Sequence, residues 1–147
     1  MAKVTESVLV GASLAAAWDH YFDQEGWRAW VEGFERVERS EGYPEEGGTL
    51  VWQSNPAGRG TVTERVLAHE PRTLHRIAFE DPQSSGELTT RFAIEGEATR
   101  LTLELAYTVG GGGPLSKLTD MLFARSQVIA SLRRTLMDFR ADVEEPG

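Results

Sequence analysis

Three residues of this chain pair proton-transfer or charge-anchoring chemistry with a position that turns them toward a dry interior: Glu64, His75 and Arg125. A carboxyl beside an imidazole can pass a proton, and a nearby guanidinium favours the ionised carboxylate or anchors an anionic head group. Strand parity places the first two. In 73–79 the set Thr73, His75, Ile77, Phe79 competes with Leu74, Arg76, Ala78, and the first is expected to face inward. In 58–67 the set Val62, Glu64, Val66 is more apolar than Thr61, Thr63, Arg65, Leu67, which turns Glu64 inward as well. A turn centred on His69 and Glu70 then pairs Val62 with Ile77, Val66 with Thr73 and Glu64 with His75. Arg125 falls between Leu122 and Ile129 on the apolar stripe of a helix. The commoner role of such a cluster is a structural ion pair, or an arginine that snorkels to a cavity mouth; the sharper one is the polar end of a ligand pocket.

The elements that would position these groups follow from hydrophobic period and turn residues. Residues 3–10 alternate as a half-buried strand ended by Gly11, and Ser13 is placed to cap a helix carrying Leu14, Ala17, Trp18 and Tyr21. A second short helix from Gly26 holds Trp27 and Trp30. From Phe34 to Val109 turn residues at 42–48, 55–58, 69–71, 81–86 and 96–98 divide the chain into six hairpin-linked strands. The clearest is 99–109, with Leu101, Leu103, Leu105, Tyr107 and Val109 on one face. Gly110–Gly113 reads as a hinge, since Lys117 follows Ser116 and precedes Leu118 and the ending of a phosphate-binding loop is missing. Pro114 then opens a helix of about thirty residues, whose stripe holds Leu115, Leu118, Leu122, Ile129, Leu132, Leu136, Phe139 and Val143, with Met121 and Val128 beside it.

Bulk properties exclude several function classes. At 147 residues, with 40% hydrophobic and 26% charged residues, the chain is expected to be one globular domain over 1–147. Its 23 acidic residues outnumber 15 basic ones, and a net charge of −8 repels phosphate backbones and anionic membranes, so neither nucleic acid nor a membrane is an expected partner. There is no cysteine, and His20, His69 and His75 show no metal-ligand spacing, so no metal and no cofactor is expected. No signal-peptide pattern or membrane-spanning run is present, which points to a cytoplasmic protein. Phe123 and Met137, off the main helix stripe, leave a homodimer open.

The order strand, two short helices, six antiparallel strands and a long terminal helix resembles the helix-grip fold of the START-like superfamily, also called SRPBCC. The local text agrees in Ser13–Trp18 with Trp27 and Trp30 after it, and in Gly58–Val66 leading to Glu70-Pro71. It agrees again in Gly113–Arg125, which is similar to the start of the last helix in polyketide cyclase or dehydrase members. The resemblance implies an α+β fold, a seven-stranded curved antiparallel sheet wrapped around a long C-terminal helix, with an internal cavity between them. On this reading the cavity is lined by Phe79, Phe92, Leu103 and Tyr107 from the sheet and Met121 and Leu122 from the helix. Trp27 and Phe22 serve as lid, and Arg125, His75 and Glu64 form the polar end. The expected function is binding of a hydrophobic small molecule, lipid-like or polyketide-like, with a polar or anionic head. The alternatives are an enzyme of the cyclase or dehydrase kind using the same pocket, and an interaction module of the co-chaperone kind.

Overall fold

A computed structural model describes residues 2–55, 59–109 and 114–145, the side chains of 114–124 excepted. Strand β1 (Ala2–Val10) buries Val4, Val8 and Val10, keeps Glu6 half-buried on the same parity and exposes Thr5, Ser7 and Leu9, as its alternation predicts. Helix α1 (Leu14–Phe22) begins at Ser13, whose Oγ accepts from the Ala16 amide at 3.1 Å. That bond satisfies one of the helix's unpaired N–H groups, and Ser13→Ala should lower stability by about 1 kcal/mol in denaturant unfolding. The second short helix is a 3-10 turn, Gln24–Ala29, that starts two residues earlier than Gly26 because Asp23 caps it through the Glu25 amide.

Six further strands follow: β2 (Phe34–Glu41), β3 (Thr49–Ser54), β4 (Thr61–Glu70), β5 (Leu74–Glu80), β6 (Ser84–Glu95) and β7 (Ala98–Val109). They form one antiparallel sheet in the order β1-β7-β6-β5-β4-β3-β2. Hairpins link β2 through β7, and only β1 is carried across, over α1 and the 3-10 turn, to pair with β7. Gly86 on β6 lies against Ala106 O and Tyr107 Cα of β7, closer than any side chain would permit. The terminal helix α2 (Pro114–Glu144) covers the inner face, burying Leu132, Leu136 and Phe139 at the expected spacing. This is the helix-grip arrangement. The hinge expected at Gly110–Gly113 lies outside the described residues, as do the side chains of Leu115, Leu118, Met121, Leu122 and Phe123.

The β4–β5 hairpin departs from the expected register. Pro71 has no N–H to give a ladder and Arg72 takes a left-handed φ of 61°, so the chain turns at Pro71–Thr73 and His69 and Glu70 stay in the strand. A bulge between Val66 and Ala68 absorbs one residue. Val66 therefore faces Ile77, Glu64 faces Phe79, and His69 faces His75. The pairings of Val62 with Ile77, Val66 with Thr73 and Glu64 with His75 do not form. A bulge also reverses parity beyond it, which carries His69 onto the inner face with His75.

Candidate ligand cavity

Between the inner face of the sheet, the 3-10 turn and α2 lies a cavity of about 710 Å³. Its walls are largely apolar: Leu101, Leu103, Leu105 and Tyr107 from β7, Ile77 and Phe79 from β5, and Val128, Leu132, Leu136 and Phe139 from α2. Leu105 shares the inward parity of Leu101 and Leu103 and yet is half-exposed. Tyr21, Trp27, Trp30, Tyr43 and Trp52 complete an aromatic lining.

Several expected site residues meet here and others do not. Glu64, His75, Phe79, Leu103, Tyr107 and Trp27 line the cavity. Phe92 is buried against Trp18 and Tyr21, with ring centroids at 4.9 and 5.5 Å, and belongs to the core beneath α1. Phe22 likewise packs on Trp18 at 4.6 Å and on His75 at 4.8 Å, behind the cavity wall and not over its mouth. Arg125 is exposed, and its Nη1 donates to the Lys3 carbonyl at 2.9 Å. The helix phase is as expected, but the carbonyls on the unpaired edge of β1 solvate the guanidinium without taking its charge out of water. The Glu64–His75–Arg125 cluster is thus dispersed. Along β5, His75 stands four residues from Phe79, the partner of Glu64, which is about 13 Å of strand. Met121 and Leu122 have side chains outside the described residues.

Glu64 sits in an unusual place for a carboxyl. Its Oε2 accepts from Trp52 Nε1 at 2.8 Å, and what remains of its surface faces the cavity. Burial pushes its pKa up, with the Trp52 hydrogen bond and the charge of Arg59 opposing. The Arg59 guanidinium lies 5.6 Å from the Trp52 ring centroid and 5.1 Å from that of Phe79, while its Nε donates to Asp81 at 2.9 Å. Burial alone would raise the Asp81 pKa, but the Gln83 amide, Arg59 and the Ser84 hydroxyl together hold it low, so this pair is ionised. Burial also raises Tyr21 and Tyr43, with the charge of Glu64 adding to both. At neutral pH both phenols carry their protons.

The raised pKa has a consequence for stability. Folding binds the Glu64 proton more tightly than the unfolded chain does, so this group's contribution is complete below its ordinary value of 4.5 and is lost as pH rises through the folded value. Glu64→Gln keeps an oxygen for Trp52 Nε1 and removes that loss. The variant should gain on the parent in urea midpoint as pH rises from about 4 to about 8. A constant difference across that range would mean that Glu64 ionises freely.

Two polar atoms are conspicuous. Among the described residues, Trp30 Nε1 and His75 Nε2 are buried without a hydrogen-bond partner, and both residues line the cavity. Strand parity gave a signal for Trp52, which alternates inward with Leu50 and Ser54, but no period marks Tyr43, which lies in the β2–β3 connection. Among the described residues no cluster of three or more His, Asp or Glu is placed to hold a metal ion, and no helix is long and apolar enough to cross a membrane.

The profile of the family described as polyketide cyclase / dehydrase and lipid transport matches residues 1–144. No curated protein matches the chain by sequence. Among solved structures, the Zhui aromatase/cyclase from Streptomyces sp. R1128 superposes with a TM-score of 0.76 at 20% identity, over 97% of this chain and 93% of that one. The di-domain aromatase/cyclase StfQ of the steffimycin biosynthetic pathway gives 0.76 at 13% identity, over 97% of this chain and 50% of that one. A protein from Chromobacterium violaceum gives 0.73 at 14% identity, over 98% and 99%. At these identities the likeness is one of fold.

Proposed function

Since this chain belongs to the polyketide cyclase / dehydrase and lipid transport family, we propose that its cavity binds a neutral, largely aromatic small molecule bearing hydroxyl or carbonyl oxygens. The observation that carries this reading is the aromatic cavity of about 710 Å³, with Glu64 and the unpartnered Trp30 Nε1 and His75 Nε2 on its lining residues. That volume suits a drug-sized ligand in a site of mostly apolar walls and few polar groups. An indole N–H only donates, so Trp30 asks for an acceptor oxygen. Glu64, whose charged form burial disfavours, favours a neutral partner beside it.

The dispersal of Arg125 argues against the anionic head group that the sequence suggested. Trp27, Trp30 and Trp52 line the cavity, so 1-naphthol should quench tryptophan emission saturably at one molecule per chain. Absence of a saturable change with 1-naphthol, hydroxyanthraquinones and long-chain alcohols alike would remove the binding reading. The second reading, a cyclase or dehydrase, is favoured by one feature: a carboxyl of raised pKa on the cavity wall is suited to general acid catalysis. Turnover of a poly-β-carbonyl substrate, abolished in Glu64→Gln with binding retained, is its test. An open cavity gives no support to the co-chaperone reading.

A further inference from the structure

His69 Nδ1 and His75 Nδ1 lie 3.0 Å apart, with the two rings nearly perpendicular at 88°. Two imidazoles meeting nitrogen to nitrogen can share only one proton there, so one ring donates and the other accepts. His75 is 3% exposed and lines the cavity, and its far nitrogen, Nε2, has no partner. His69 is half-buried, so this ring reaches toward solvent. The two rings therefore join the cavity wall to the outside of the molecule, in a hairpin whose bulge turned His69 inward.

We propose that His69 and His75 form a two-imidazole relay that carries a proton between a ligand hydroxyl in the cavity and solvent. The proposal rests on the cavity reading above and assigns the atom at which the ligand is met, His75 Nε2. In one tautomeric state His75 Nδ1–H donates to His69 Nδ1, His69 carries its own proton on Nε2, and His75 Nε2 is a bare acceptor. A ligand O–H gives its proton to His75 Nε2, the shared proton moves from His75 Nδ1 to His69 Nδ1, and His69 Nε2–H passes its proton to water. The products are the ligand oxyanion, a proton in solvent and two neutral rings with tautomers exchanged. The reverse sequence delivers a proton to the ligand.

The surroundings suit such transfer. Burial, and then the neighbouring His69, bring the His75 pKa down to about 3, so the ring stays neutral and moves protons by tautomer exchange without storing charge. Phe22 at 4.8 Å and Tyr43 at 5.6 Å meet His75 edge-on and wall that ring from bulk water, while Trp18 stands 5.2 Å from His69, the ring that keeps an exposed side. His75 Nε2 is itself closed off in this structure, so ligand contact requires the side chains around that ring to shift.

The first test needs no ligand. Long-range proton–nitrogen NMR correlations on the full ¹⁵N-labelled chain should show opposite tautomers, one ring protonated at Nδ1 and the other at Nε2. Both rings protonated at Nε2 would overturn the proposal. The second test uses 1-naphthol, which becomes a strong acid when excited and emits as naphtholate only where an acceptor takes its proton. Naphtholate emission from the bound probe should fall tenfold or more in His75→Phe, in keeping with the size of general-base effects. It should fall also in His69→Gln, a half-exposed site at which an amide keeps a hydrogen bond but cannot exchange tautomers. Unchanged emission in both variants would overturn the relay while leaving the cavity reading intact. Failure of both 1-naphthol and naphthalene to bind would overturn the cavity reading and the ligand end of the relay with it.

Discussion

Phe139→Ala should lower the stability of the fold by about 3–5 kcal/mol, the range for truncating a fully buried aromatic ring. Phe139 is 0% exposed and is the point where α2 grips the rest of the molecule. Its ring meets Trp30 at 4.9 Å and 83°, His20 at 5.4 Å and 68°, and Tyr21 at 6.0 Å and 62°, all edge-on contacts that add to area burial. Neighbouring rings cannot collapse into the space, because Tyr21 is tied to Thr90 Oγ1 at 2.8 Å and its carbonyl holds Trp27 Nε1 at 2.9 Å. The void would instead join the cavity that Phe139 already borders. Phe139→Leu, which keeps most of the volume, should cost less than about 1.5 kcal/mol. Urea unfolding of both variants gives the comparison, and a loss below about 1 kcal/mol for alanine would place the grip elsewhere on the helix.

Most of the architecture can be read from pattern because each pattern reports burial directly. The alternation Val4, Val8, Val10 and the run Leu101, Leu103 face a core, and Leu132, Leu136 and Phe139 keep a helical period against it. Inward parity was also legible for Val62 and Val66 and for His75, Ile77 and Phe79, all of which are buried. Cross-strand partners were not. Parity is a property of one strand, whereas register depends on the turn, and here Pro71 moved the turn and a bulge at 66–68 shifted it again. The displaced turn sets His69 opposite His75 and carries Glu64 away from it, and the bulge shifts Glu64 by one residue, onto Phe79. No composition or period encodes such a bulge.

Arg125 illustrates a different limit. Its place on the stripe was legible, yet burial there also depends on what lies opposite, and the helix meets the free edge of β1 at that point. Beside it, Arg133 pairs with Glu6 of the same strand. The cations near the cavity are others, Arg59 from the β3–β4 connection and Arg134 from α2, and each holds a carboxylate already. Neither could have been chosen from sequence, because connections carry no period and Arg134 lies off the apolar stripe.

This distribution of charge leads to the largest expected effect on binding: the cavity should prefer 1-naphthol to 1-naphthoate by about 100-fold at neutral pH. A carboxylate entering the site loses its water and must find donors or a cation to replace it, and an unmet charged group costs upward of about 1–3 kcal/mol. Arg59 Nε is occupied by Asp81 at 2.9 Å, and Arg134 makes two bonds to Glu32, at 3.2 and 3.0 Å. Glu64, on the same wall, is itself a carboxyl whose charged form burial disfavours, and a second one beside it would raise the cost for both. A neutral hydroxyl meets none of these penalties and can donate to Glu64 or accept from it according to the carboxyl's proton. At about 1.4 kcal/mol per factor of ten, a difference of 2–3 kcal/mol gives the expected ratio. Glu64→Gln should narrow the preference by removing the ionisable neighbour, while Arg125→Leu, remote from the cavity, should leave it unchanged. Isothermal titration of both probes against the three proteins reads the ratio. Equal affinity for naphthol and naphthoate in the parent would mean that a cation on the cavity wall is free to receive an anion, and the neutral-ligand reading would fall.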